Sequence, residues 1–293
     1  MSITPQLIKE LREMTAAGMM DCKKALEATN GNLDDAVIWL RENGLSKAAK
    51  KADRVAAEGV AFAKTNGKKG IVFEINSETD FVSKNDKFMN LVAEIGETLL
   101  NSSAKNLNEA LKVKLKSNET IENACIDATA TIGEKIEIRR FEMVESGTLS
   151  VYNHANNRIS VLLQFNAEIT KEDAYNLCMH VAAMAPKYLT RENVPQEFID
   201  TEMHIIKETT DPKELAGKPQ NIVDKILQGK LNKRIAEITL LEQAFVMDEK
   251  QKVDQFLKSK NTTLKVVHRF EVGEGIKKTA TDFASEVAAQ LKG

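Results

Sequence analysis

The sequence predicts an α+β protein: a three-helix N-terminal unit, a core of two related α+β subdomains with antiparallel sheets, an inserted helical hairpin and a C-terminal helix. Three observations carry this reading. Apolar residues in the first 44 positions recur at helical spacing between turn signals. From position 58 the period drops to that of strands. A strand pair, helix, strand order then occurs twice along the chain.

Thr4 is a capping residue and Pro5 suits a first helical position, and Leu7, Ile8, Leu11 and Met14 line one face until Gly18. A second helix over 19–29 stops at Asn30-Gly31. A third opens at Asn32, carries Val37, Trp39 and Leu40, and is expected to end at Gly44. Met14, Met19 and Met20 give this small unit a soft face. Periodicity leaves open whether they fill a thin core or meet a partner. Residues 45–57 read as a solvated helical connector bearing Lys47, Lys50, Lys51 and Arg54.

Strands at 60–64 and 70–76 flank an Asn66-Gly67 turn and form a hairpin. An amphipathic helix over 86–100 follows, with Phe88, Leu91, Val92, Ile95 and Leu99 on one face, and 135–143 alternates as a strand. The second unit echoes the first. Residues 161–166 (Val-Leu-Leu-Gln-Phe-Asn) match 71–76 (Ile-Val-Phe-Glu-Ile-Asn), Asn176-Leu177 matches Asn90-Leu91, and His268-Arg269-Phe270-Glu271 matches Arg139-Arg140-Phe141-Glu142. The crossover from hairpin to helix is four residues longer in the first copy, within Ser77-Glu78-Thr79-Asp80-Phe81-Val82. An elongated, aromatic-bearing turn on a duplicated scaffold is a candidate binding loop. Helical spacing at 198–206 and 222–231, with turn signals at Asp211-Pro212 and Gly217-Lys218-Pro219, predicts an αα-hairpin insert. A terminal helix begins near Thr279, with Phe283, Val287 and Leu291 on one face.

The 293 residues suggest about two domains at roughly 150 each. A net charge of −2 supplies no global field for nucleic acid or anionic lipid. Cys22, Cys125 and Cys178 are too few and too irregularly spaced for a disulfide framework or a Cys-x-x-Cys site, which predicts packed structural thiols in a reducing compartment. No leader and no run of 18 apolar residues is present, so a cytoplasmic protein with no membrane and no DNA association is expected.

Catalytic motifs are lacking as well. Gly217-Lys218 is followed by Pro219 and lacks a phosphate-loop glycine, while Gly273-Glu274-Gly275 lacks the third glycine of a dinucleotide fingerprint. His154, His180, His204 and His268 form no i, i+4 pair, and no serine sits in a Gly-x-Ser-x-Gly elbow. A binding protein with no cofactor or metal, not an enzyme, is expected.

Three motifs are specific. Leu11-Arg12 with Thr15-Ala16-Ala17-Gly18-Met19-Met20-Asp21-Cys22-Lys23-Lys24-Ala25-Leu26, then Thr79-Asp80-Phe81-Val82, then Phe270-Glu271-Val272-Gly273-Glu274-Gly275-Ile276 resemble, in order along the whole chain, the signatures of the bacterial elongation factor Ts family. Members of that family are guanine-nucleotide exchange factors of elongation factor Tu. The resemblance implies a ubiquitin-associated-like domain at 1–54 and core subdomains at 55–143 and 144–270. It also implies a helical hairpin at about 187–235 and a C-terminal helical module at 271–293.

The resemblance further implies that the N-terminal domain (Arg12, Met19, Met20) and the C-terminal module grip the GTPase. Asp80 and Phe81, in the turn completed by Thr79 and Val82, would intrude near its Mg²⁺ and phosphates, and His154 would face its far domain. The factor needs no cofactor of its own and acts on the GDP and Mg²⁺ of its partner. Association into a homodimer or a 2:2 complex through the helical hairpin is left open. Blander readings stand beside these: Thr79 to Phe81 as a simple helix cap, like Thr281-Asp282-Phe283-Ala284, and His154 as a solvated turn histidine. The competing function is an RNA-associated translation accessory protein using Lys47, Lys50, Lys51 and Arg54.

Overall fold

The computed structural model describes residues 3–15 and 17–277. The expected terminal helix from Thr279, with Phe283, Val287 and Leu291, lies outside the described residues. Helices α1 (Pro5–Thr15), α2 (Met19–Ala28) and α3 (Leu33–Ala49) form the N-terminal unit. The local chemistry is as expected: Thr4 Oγ1 accepts from Leu7 N at 3.2 Å, and the Asn32 side chain caps α3 by accepting from Asp35 N at 3.2 Å. Its core is Leu11, Cys22, Ala25, Leu26 and Ala36, all fully buried, with Trp39 and Leu40 packed on them.

One boundary is corrected. Helix α3 does not end at Gly44 but continues through it into the expected connector. Gly44 is buried where α3 crosses α6 (Ile121–Ile132), and a Cβ there would lie 3.2 Å from that of Ala130. The glycine marks close helix approach, tolerated inside a helix at about 1 kcal/mol.

Strands β1 (Glu58–Thr65) and β2 (Lys69–Ser77) form the first hairpin, followed by α4 (Asp86–Asn101), α5 (Leu107–Lys112), α6 and β3 (Glu137–Glu145). The antiparallel sheet has the order β1-β2-β3. The second unit repeats this topology. Strands β4 (Thr148–Asn153) and β5 (Ile159–Phe165) precede α7 (Lys171–Met184), and β8 (Leu264–Glu271) completes the sheet β4-β5-β8.

Alternation along β2 and β5 explains the layering. Ile71, Phe73 and Ile75 face Phe88, Val92, Ile95 and Leu99 of α4, while Val161, Leu163 and Phe165 face Ala174, Leu177 and Val181 of α7. The alternate residues Val72 and Leu162 meet between the sheets with Ala61, Ala63, Val144 and Phe270. Each central strand is thus covered on both sides, and the two helical layers lie outside. The β4–β5 turn fastens the sheets together. Ala61 N donates to Asn157 O at 2.9 Å, Ala63 N to Asn153 Oδ1 at 2.7 Å, and Asn153 Nδ2 to Ala63 O at 2.9 Å.

The insert is an antiparallel pair, α8 (Gln196–Thr209) and α10 (Gln220–Ile238), joined through the short α9 (Pro212–Leu215). Leu231 and Ile235 pack on Phe198, Ile199, Met203 and Ile206. Between it and β8 come short elements with no mark in the sequence: β6 (Ala244–Phe245), β7 (Asp248–Lys252) and α11 (Val253–Ser259). They bring Phe245 and Phe256 into the α7 core, stacked at 4.2 Å.

Candidate partner-binding surface

The link from β2 to α4 spans eight residues (78–85), against five (166–170) between β5 and α7, so it is longer by three where the sequence offsets predict four. In the aligned copies β2 runs two residues past the end of β5, and α7 starts one residue before α4. The additional length is folded by local hydrogen bonds. Ser77 Oγ donates to Thr79 O at 2.9 Å, Ser83 Oγ to Asp80 O at 2.7 Å, and Lys84 N to Phe81 O at 3.2 Å, forming a short 3₁₀ turn over Val82–Lys84. Two longer-range ties fix the turn to the loop after α6. Glu134 accepts from Thr79 N at 2.9 Å and from Thr79 Oγ1 at 2.6 Å, and Glu78 Oε1 accepts from Lys135 N at 2.7 Å.

Val82 is buried beneath this turn, and Phe81 stands out at 79% exposure, more than the other large apolar residues described as exposed. Asp80 is on the surface beside it. Lys84 Nζ donates to Asp80 Oδ2 at 2.9 Å, and this bond and its charge hold the carboxyl below the usual aspartate range. A simple helix cap would fold its aromatic back onto the protein; this turn projects it. Asn85 performs the capping of α4, accepting from Lys87 N.

The methionine face has a definite character. Met14, Met19 and Met20 are 56%, 59% and 64% exposed, so they do not fill the core of the three-helix unit. The signature containing them divides by helical position: Cys22, Ala25 and Leu26 face inward, and Met19 and Met20 face out from the first turn of α2. Arg12 is also exposed, on α1. Between this unit and α6 is a cleft of about 490 Å³ lined by Met14, Trp39, Arg41, Glu119 and Asp127. Burial, then Asp127, raises the Glu119 carboxyl above its ordinary value, while Arg41 at 3.7 Å opposes this.

His154 lies exposed in the β4–β5 turn. Its Nδ1 is 2.7 Å from Tyr152 Oη, and Tyr175 of α7 packs edge-on to Tyr152 with centroids 5.5 Å apart. The histidine is therefore oriented by an aromatic neighbour instead of hanging free. The predicted residues stand on three elements: the 78–85 link, the three-helix unit and the β4–β5 turn.

The third signature is structural in its contacts. Glu74, fully buried between the sheets, pairs with Arg139 at 3.2 Å and Arg140 at 2.5 Å, and Arg140 also pairs with Glu274 and lies 4.1 Å over the Phe270 ring. Gly273 adopts φ +78°, and a Cβ there would come within 2.4 Å of Ala57 O. Its N–H donates to Glu74 Oε1. The Gly-Glu-Gly segment thus locks the end of β8 onto the first sheet.

The basic connector behaves differently from an RNA-binding tract. Lys51 Nζ donates to Gly133 O, and the Arg54 guanidinium pairs with Glu78 at 3.2 Å. Lys51 and Arg54 are thus engaged on the protein's own core. Glu134 and Tyr152 carry no mark in the sequence, because their partners are met only through tertiary structure or an unmarked turn.

A family model described as Elongation factor TS matches residues 78–274. The Elongation factor Ts of Spiroplasma citri is 49% identical over 296 residues, covering 99% of this chain and 99% of that protein. The Elongation factor Ts of Mycoplasmopsis pulmonis (strain UAB CTIP) is 48% identical over 289 residues, 98% of this chain and 97% of that one. The chain belongs to the elongation factor Ts family. As an elongation factor Ts family member it is a translation elongation factor, and the family match starts at Glu78 in the projecting link and ends at Glu274 in the arginine network. Among the described residues of this elongation factor, no helix is long and apolar enough to cross a membrane, and no group of three or more His, Cys, Asp and Glu side chains could hold a metal ion.

Proposed function

We propose that this chain promotes GDP release from elongation factor Tu by pressing the Asp80/Phe81 turn against the Mg²⁺ and phosphate site of that GTPase. Family membership supports the exchange activity, and one observation supports the turn: Phe81 is 79% exposed on a link that is hydrogen-bonded at both ends. A solvated aromatic on a fixed turn loses little conformational entropy on insertion.

The energetics assign roles to the other surfaces. An exchange factor must favour the nucleotide-free state by as much free energy as it removes from GDP binding, because coupling is reciprocal. Accelerating release by about 10⁴ asks for roughly 5.5 kcal/mol of differential binding. Burying one phenylalanine contributes about 1.5–3 kcal/mol. The exposed Met19/Met20 face with Arg12 supplies the grip against which the turn acts, and His154 meets a second region of the partner. Asp80 adds repulsion toward phosphate and competition around the cation.

The test is stopped-flow release of a fluorescent GDP analogue from elongation factor Tu. Phe81→Ala is expected to lower the maximal stimulated rate while leaving thermal stability unchanged, since the ring contributes little to the fold. An unchanged rate overturns the wedge.

A further inference from the structure

We infer that Glu134 is the positioning residue of the Asp80/Phe81 turn, and that the loop Gly133-Glu134-Lys135 is a bracket holding that turn and the three-helix unit in one frame; the inference rests on the proposed wedge. The link 78–85 gains its fixed shape from outside itself. Glu134 takes both donors of Thr79, backbone and hydroxyl, so its carboxylate sets the position and the rotation of the residue immediately before Asp80. The loop returns the contact through Lys135 N on Glu78. Three consecutive chain positions, 77–79, are thereby fastened by three side chains, those of Ser77, Glu78 and Glu134.

The same bracket receives the end of the N-terminal unit. Lys51, just beyond α3, donates to the carbonyl of Gly133, which is in the left-handed conformation at the C-terminus of α6. Arg54 pairs with Glu78. The element bearing Met19 and Met20 and the turn bearing Phe81 are thus referenced to one loop. Strain generated where the methionines grip is delivered at the ring instead of being absorbed by a loose link.

This also assigns Thr79 a task other than touching the partner. It is part-buried and its two hydrogen-bond donors are taken, so it anchors the turn internally. The Thr79 hydroxyl donates to a carboxylate, a charge-assisted bond of the stronger kind.

The experiment is the same GDP-analogue release, read as maximal rate and half-saturating factor concentration, with the full chain carrying Phe81→Ala, Glu134→Ala, Thr79→Val, Thr79→Ser and the Phe81→Ala/Glu134→Ala pair. Glu134→Ala and Thr79→Val are expected to lower the maximal rate by about tenfold, the scale on which ångström-level misplacement slows a positioned group. Half-saturation should stay within about twofold for both, because the methionine face is untouched. Thr79→Ser, which keeps the hydroxyl, is expected to restore the rate. The pair should be slower than Phe81→Ala alone by far less than the product of the two single losses, since only Asp80 is left for the bracket to position. If Phe81→Ala slows release but Glu134→Ala and Thr79→Val do not, or if the pair multiplies, the bracket is wrong and the wedge stands. If Phe81→Ala has no effect, the wedge falls and the bracket's role with it. Should Glu134→Ala fail to fold, Thr79→Val, which removes one hydroxyl, carries the same decision.

Discussion

The buried carboxylate of Glu74 accepts the backbone N–H of Gly273 at 2.8 Å across 199 positions of sequence, joining the middle of the first sheet to the end of the last strand. Arg139 and Arg140 complete the site from the neighbouring strand. Glu74→Gln removes the charge that both guanidiniums face. Each arginine side chain keeps about a quarter of its exposure (28% and 27%), so water offsets part of the loss, and the expected destabilisation is roughly 2–4 kcal/mol. Urea unfolding measures it; a change below about 0.5 kcal/mol, the range of ordinary surface substitutions, contradicts the assignment.

Gly273→Ala tests the other end of that bond. A positive φ and a Cβ placed 2.4 Å from the Ala57 carbonyl oxygen force the backbone to move, at a cost of about 1–3 kcal/mol. A lower thermal midpoint is expected, and an unaltered one shows that the turn has another way to close.

Met19→Ala with Met20→Ala should separate binding from insertion. Both side chains are largely solvated, so the folded state is expected to keep its stability within about 0.5 kcal/mol. The concentration of factor giving half-maximal GDP release should rise. If that concentration is unchanged, the methionine face is not the grip.

Acid should weaken the fold through His180. The ring is fully buried, with Nδ1 accepting from Val246 N at 3.2 Å and Nε2 donating to Gln243 Oε1 at 3.0 Å, which requires the neutral imidazole. Burial depresses its pKa below the ordinary 6.5, against the opposing pull of the Gln243 bond. Burial also depresses that of His268. The unfolded chain then takes up protons near pH 6.5 while the folded one does not, so stability is full above that value and declines as pH falls toward the folded-state pKa. Denaturation midpoints between about pH 7 and pH 5 should slope downward, and His180→Leu should flatten the slope while lowering the whole curve. An unaltered slope in that variant assigns the acid sensitivity to other groups.

The cysteines should be silent in the native state. Cys22, Cys125 and Cys178 are all buried, and burial pushes the thiols of Cys125 and Cys178 up to about 12. A chromogenic disulfide reagent should label none of the three until denaturant is added. Rapid labelling of the folded protein would reveal openings that this packing does not predict.

Much of this architecture was legible in the sequence wherever local chemistry fixes the backbone. Thr4-Pro5, Asn32 and Asn66-Gly67 mark helix starts and a turn by side-chain capping and by the conformational freedom of glycine, and they do so here. Gly44 misled because the same residue that ends a helix also lets two helices touch. The strand β7, Asp-Glu-Lys-Gln-Lys, carries no alternation because almost all of it is solvated. The site divided along similar lines. Phe81 is marked by the longer crossover and the family motif, whereas Glu134 carries no sign because its hydrogen-bond partner among the described residues lies 55 positions earlier. The methionines were undecided, since an apolar stripe has the same period whether it faces a core or a partner.

The amide of Asn153 has a further effect. By engaging both the N–H and the C=O of Ala63, with Asn157 occupying Ala61, it gives the outermost strand of the first sheet a substitute neighbour made from a side chain and a turn. Exposed ladder groups of that kind ordinarily invite another polypeptide to add itself, the route by which sheets aggregate. Here the N–H of Ala61 and both backbone groups of Ala63 are already satisfied, so that edge offers one less place where two copies of the chain could stick.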